Sequence, residues 1–273
     1  MRAEPVHRVP LELRAWIAYT WTSERPDIVA PHAREHSLPT GAMHLVVRLD
    51  GPPLRIYADA DDRIGTAFAS ATVGGARAGY CIKDTAHPAA SVGAVLRPGA
   101  ALALLGVSAA ELEGRHVSLR DLWGEDAERL YQRLAATEGA QARQALFERA
   151  LTERLRPARA LHPQLVWALR CFERGAVEVG DIARADGRSH RHFIAAFHEA
   201  AGLTPKRYAR VLRFKRLLAA LAATPRPEWA RLALEAGYCD QSHLIREFRE
   251  FAGVTPSEYS AAGPHQMHHL PVR

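Results

Sequence analysis

Two short runs carry side chains suited to reading the edges of bases in duplex DNA. Ser189, His190, Arg191 and Ile194 form the first; Gln241, Ser242, His243 and Arg246 form the second. Arginine can fork onto guanine, glutamine onto adenine, and an isoleucine can touch the thymine methyl group. In each run the opposite positions are apolar at i and i+4: Phe193 and Phe197 in one, Leu244 and Phe248 in the other. That spacing places them on one helix face and leaves the polar set on another. Lys206 and Arg207 follow Thr204-Pro205 at a helix start and are suited to phosphate positioning. Bland readings stand beside these. Arg191 can be a solvated charge, and His192 and His243 can be locally satisfied helix-start histidines. Arg210, Arg213, Lys215 and Arg216 are read as solvated surface, because one helix face cannot hold them all.

Other chemistry is thinly supported. His32, His36 and His44 would be metal ligands if the first half were a cupin-like barrel, making it a metal-dependent enzyme or metal sensor. Their spacing matches no metal signature, and no paired acid stands near. Trp16, Tyr19 and Trp21 could line a small-molecule pocket or pack in a core. Cys81, Cys171 and Cys239 are too scattered for a disulfide framework or zinc set, which suits a reduced cytoplasmic setting. Cys239 alone offers a site for oxidation. No catalytic set and no cofactor site emerge, so no enzymatic activity is expected. The histidines of the "HQMHHLPVR" tail read as part of a frayed end.

The elements that must position the reading residues repeat. "HFIAAFHEAAGLTPKRY" at 192–208 aligns without gaps to "HLIREFREFAGVTPSEY" at 243–259. Upstream, Ile182-Ala183 corresponds to Leu232-Ala233, followed in each copy by a glycine suited to a tight turn. Ser189 and Asp240 then stand where a helix N-cap is needed. Each copy is a helix-turn-helix, whose second helix enters the major groove by its N-terminal end. Seven helices are expected, at 163–174, 179–185, 189–201, 205–223, 228–236, 240–252 and 256–261. The connecting helix, about 28 Å long at 1.5 Å per residue, approaches the roughly 34 Å between successive major grooves.

The first half reads differently. Strands are expected at 16–21, within 43–58 around an Asp-Gly-Pro-Pro turn, within 65–75, at 79–83 and from 91, the last followed by a turn. Helical pattern begins with Ser108 as an N-cap and continues through 122–134 and 141–155. The fold class is thus α+β: a β-rich barrel or sandwich, cupin-like, with trailing helices, and then an all-α domain with two helix-turn-helix units. Boundaries fall at 1–156 for a sensing or dimerising domain, 162–262 for the helical domain and 263–273 for a flexible tail. Length, 273 residues, fits two domains. The net charge of +6 favours an anionic partner without deciding for one. Charges near the start interrupt any signal peptide, and Arg97, Pro98 and Gly99 break the one long apolar run, so neither export nor membrane insertion is expected.

With these motifs in hand, residues 160–262 resemble the DNA-binding domain of AraC/XylS transcription regulators. The resemblance rests on helix order, the long connector and "ALEAGYCDQSHLIREFREFAGVTPSEY". It implies promoter binding by double-stranded DNA contact, activation or repression of transcription, and RNA polymerase, a small-molecule effector or a second copy as further partners. It also implies that an arginine usually stands where this chain has Ala195, and that Arg246 divides between backbone positioning and internal support. "LPTGAMHLVV", "LRPGAALALLGVSAAEL" and "LRDLWGEDAERLYQRL" resemble an uncharacterised sensor-type domain that often precedes such a DNA-binding domain.

Overall fold

The computed structural model describes residues 9–24, 33–87, 89–157, 160–175, 190–224, 227–263 and 267–272. The expected helix at 179–185, with Ile182-Ala183 and Ser189, lies outside the described residues, as does His32.

Among the described residues, ten strands form two five-stranded antiparallel sheets. One runs β1-β8-β3-β6-β9, from Ile17–Ser23, Ser91–Leu96, Met43–Arg48, Ala71–Gly74 and His116–Ser118. The other runs β10-β2-β7-β4-β5, from His269–Pro271, Arg34–Ser37, Cys81–Asp84, Leu54–Tyr57 and Thr66–Phe68. In β3 alternate residues Met43, Leu45 and Val47 point inward, the period-2 pattern of a strand with one face in the core. All six residues of β8 are buried, as in a strand covered on both faces. The Asp-Gly-Pro-Pro turn does not close a hairpin: β3 lies in one sheet and β4 in the other. It is a corner between sheets.

After β8 the chain makes a wide helical turn at Ala101–Leu105 and a 3-10 turn at Ala109–Leu112. Ser108 caps the 3-10 turn through a capping box with Glu111, as its sequence position implies. Helices α1 (Leu119–Trp123), α2 (Glu125–Ala135) and α3 (Ala140–Arg154) follow. Helix α3 lies against β1 and β8, where Glu148 accepts from the Thr20 hydroxyl. Trp16, Tyr19 and Trp21, at and just before β1, do not converge on one pocket. Trp21 fills the space over Gly93, Trp16 packs near Gly99 and Leu161, and Tyr19 is 47% exposed.

The helical half comprises α4 (Pro163–Arg174), the helix His190–Ala201, a connecting helix (Pro205–Ala223), Trp229–Glu235, the helix Gln241–Ala252 and Pro256–Ala262; the helices His190–Ala201 and Gln241–Ala252 are called the first and second reading helices after the role expected of them from sequence. Buried side chains form one continuous cluster through both halves, from Val9 to Leu270.

The tail is a correction to expectation. Residues His269–Pro271 pair antiparallel with β2, with Leu270 opposite His36 and only 2% exposed. Tyr259 donates its hydroxyl to the Met267 carbonyl at 2.7 Å, anchoring the return of the chain. Glu35 of β2 meets His269 at 2.6 Å and Lys83 at 2.7 Å. Burial alone would raise that carboxyl, but the His269 hydrogen bond and the Lys83 charge overcome it and hold it at about 2. Three residues suffice because the sheet edge they complete is already formed.

Candidate nucleic-acid interface

Both reading helices are seated by the same residues of the repeat. Phe197 meets Tyr208 at 5.4 Å between ring centroids, and its counterpart Phe248 meets Tyr259 at 5.5 Å, both edge-on. Such pairs contribute about 0.5–1.5 kcal/mol beyond simple burial. Phe193 and Phe172 extend the first cluster; Phe214 and Phe251 extend the second. With the phenylalanines committed inward, the faces left to solvent are fixed by helical period.

On the first helix His190, Arg191 and Ala195 are exposed. Ile194 is half-buried and packs against the core, so less of it is offered to a thymine methyl than its position in the run implies. On the second helix Gln241, Ser242 and Arg246 are exposed. Asp240 caps that helix by accepting the His243 backbone N–H at 2.7 Å. The His243 ring stands edge-on to Tyr238 at 5.3 Å and accepts from the Cys239 N–H at 3.4 Å. Of the two roles weighed for His243, local support of the turn is the one these contacts describe.

The cations of the connecting helix are not all solvated. Glu247, 1% exposed on the inner side of the second reading helix, accepts from Arg210 at 2.8 Å and from Arg213 at 2.7 Å. Arg210 also pairs with Glu250, while Arg213 reaches the Gly237 carbonyl at 3.1 Å and covers the Tyr238 ring. Burial would raise the Glu247 carboxyl; the two guanidiniums more than reverse that and lower it. Arg216 donates to the Phe172 carbonyl in the last turn of α4, where a cation complements the helix dipole. The reading of Arg210, Arg213 and Arg216 as surface charge is therefore corrected. The available signal was Glu247 itself, a carboxylate next to Phe248 on an inward face.

Lys206 is exposed, but Arg207 is engaged by Glu113 of the first half, which also meets His198 at 2.8 Å. The phosphate-positioning pair is thus split.

Of the histidines weighed as metal ligands, His36 and His44 make other contacts. His36 donates Nδ1 to the Ala252 carbonyl at 2.8 Å and stacks on Tyr80. His44 lies 3.1 Å from the Thr40 hydroxyl. Burial pushes His44 down to about 4, with Arg77 and Lys83 adding to the shift. His116, 3.1 Å from Arg77, falls to about 3 for the same reasons. Among the described residues no group of three or more His, Cys, Asp or Glu is placed to hold a metal ion. Among them, too, no helix is long and apolar enough to cross a membrane.

Two family models match separate parts of the chain. Residues 182–262 match a family described as a helix-turn-helix domain, and residues 7–118 match a domain of unknown function, DUF6597. No curated protein matches the chain. Among solved structures, the apo form of a ToxT point variant from Vibrio cholerae is similar at 10% identity and a TM-score of 0.44, covering 90% of this chain and 97% of that one. A second structure of ToxT from the same organism gives 10% and 0.44, with 89% and 96% covered. Wild-type ToxT bound to an unsaturated fatty acid gives 10% and 0.41, with 88% and 93% covered.

Proposed function

We propose that this chain is a transcription regulator of the AraC type that binds promoter DNA through two reading helices, a reading supported by the match of residues 182–262 to a helix-turn-helix domain family. The observation that carries the reading is the equivalence of the two units. Each repeat seats its second helix by the same phenylalanine–tyrosine contact and leaves its N-terminal edge open. His190 and Arg191 read one half-site; Gln241, Ser242 and Arg246 read the other. Lys206 supplies a phosphate contact, and Ser189 belongs to the first set by sequence.

The N-terminal half modulates that binding. A cleft of about 230 Å³ lies where the halves meet, lined by Arg77, Tyr80, Glu113, Gly114 and Arg207. Glu113 pairs with Arg207, which leaves the Arg77 guanidinium as the group that would favour a small anionic effector there. A cytoplasmic setting, contact with RNA polymerase and pairing with a second copy belong to the same reading.

Selection of bound duplexes from a random pool by the full chain tests it. The expected result is an enriched two-part site, bound with an affinity that falls steeply with salt through counterion release. Failure to enrich any duplex would overturn the proposal.

A further inference from the structure

The N-terminal half grips both helix-turn-helix units at the same corner of the repeat. Gly202 and Gly253 are equivalent in the alignment and end the two reading helices with φ of +75° and +74°. At the first corner a Cβ on Gly202 would stand 3.0 Å from the Ala109 carbonyl oxygen and 3.2 Å from Ala76. At the second, a Cβ on Gly253 would stand 2.7 Å from Tyr80 and 3.0 Å from His36. Each corner also lends a carbonyl. Gly99 donates its N–H to Ala200 at 2.7 Å, and His36 donates Nδ1 to Ala252 at 2.8 Å. The Ser108 hydroxyl reaches the Glu199 carbonyl at 3.3 Å.

One loop joins the two grips. Ala76 and Tyr80, touching one corner each, both lie in the connection between β6 and β7. Four residues of backbone span at most about 14 Å. The loop is itself pinned: Gly75 donates to the Arg115 carbonyl and Gly114 donates to that of Ala76, both at 2.8 Å. A Cβ on Gly75 would lie 1.6 Å from the Leu112 carbonyl oxygen, so the loop presses directly onto the Ala109–Leu112 turn. The reading edges lie at the far ends of their helices, about 18 Å away at 1.5 Å per residue, and are left clear.

We propose that the Gly75–Tyr80 loop is a ruler that sets the distance and relative rotation of the two reading helices, and hence the half-site spacing the protein accepts. His36 and Tyr80 are its positioning residues at the second helix. The physical argument is that of linked binding. Two tethered readers gain avidity of about 10²–10⁴ only when geometry lets both engage at once. Adding one base pair between half-sites moves the second by about 3.4 Å and turns it by roughly 35°. The connecting helix already packs on both readers through Tyr208 and Phe214; a loop that holds their C-terminal ends as well removes the bending and rotation that would otherwise let them follow that change.

This proposal rests on the DNA-binding reading above, and its test separates the two. The full chain, His36→Ala and Tyr80→Ala are titrated against the selected duplex, against the same duplex with one or two base pairs added or removed between half-sites, and against a single half-site. For the unaltered chain we expect a sharp optimum at one spacing. Each variant should lose about tenfold at that optimum, flatten across the other spacings and keep its single half-site affinity, since only effective concentration is reduced. His36→Asn, which returns an N–H near the Nδ1 position, should restore the optimum. Spacing profiles unchanged in folded variants would overturn the ruler while leaving DNA binding intact, as would tighter binding at every spacing. If either alanine variant fails to fold, Tyr80→Leu, which removes the ring stacked on His36 and set against Gly253 while keeping an apolar side chain, and Ser108→Ala carry the test, and an unchanged profile in both overturns the ruler. Absence of any selected duplex would remove the function and the ruler together.

Discussion

Arg191 and Ala195 stand one turn apart on the exposed edge of the first reading helix, so that edge offers one long cation followed by a methyl group. The second helix offers Gln241, Ser242 and Arg246 instead. Unequal half-sites follow. Arg191→Ala is expected to relax base preference at one half-site, at a cost of about 1–3 kcal/mol if the guanidinium forks onto guanine. Preferences at the other should persist, and repeating the duplex selection with the variant measures both. Glu247 makes a different prediction. Glu247→Ala leaves two guanidiniums facing a buried gap, which typically costs about 3–5 kcal/mol; urea unfolding followed by circular dichroism should show it. The outward residues of both helices, Ile194 and His243 excepted, were legible because large apolar residues at i and i+4 declare the inner face. Arg210, Arg213 and Arg216 were not legible, since a cation bound for a buried carboxylate and one bound for water look alike in a sequence.

Among elements, the helices were easiest to place. Gly202, Gly253, Pro205 and Pro256 mark their ends, and the intervening period of 3.6 is carried by phenylalanine and leucine. The connecting helix runs Pro205–Ala223, as its punctuation predicts. Short strands were harder. β2, β9 and β10 have four, three and three residues, too few to show alternation, and each exists because of a partner far away in sequence. The same reason hides the parting of β3 and β4 into different sheets. For β10 the test is deletion of residues 267–273, which removes the buried Leu270 and opens the edge of β2. Burial of such a leucine contributes about 1.5–3 kcal/mol, so the thermal midpoint should fall by several degrees. An unchanged midpoint would show that the strand adds nothing to the fold.

At the scale of the molecule, the docking of the two halves was beyond sequence reading. It depends on His36 and Tyr80 meeting Ala252 and Gly253, and no local pattern announces a meeting across such separations. Buried histidines set the response to acid. Burial lowers His44 to about 4, His116 to about 3 and His268 to about 4. An unfolded histidine titrates near 6.5, so below that pH the unfolded chain binds more protons and stability falls as pH drops toward 4. Glu35, held at about 2, adds its own loss between its unfolded value of about 4.5 and that point. Thermal midpoints should therefore stay nearly level from pH 7.5 to about 6.5 and decline from there to about pH 5. A flat profile would contradict the buried neutral histidines.

The strand formed by His269–Pro271 also imposes an order on biogenesis. Its pairing edge on β2 is synthesised more than two hundred residues before it, so during translation that edge waits open while both reading units emerge. An unpaired edge is a template for association with other chains. A nascent or prematurely stopped chain would thus advertise its own incompleteness, through an exposed backbone ladder that disappears when the strand arrives.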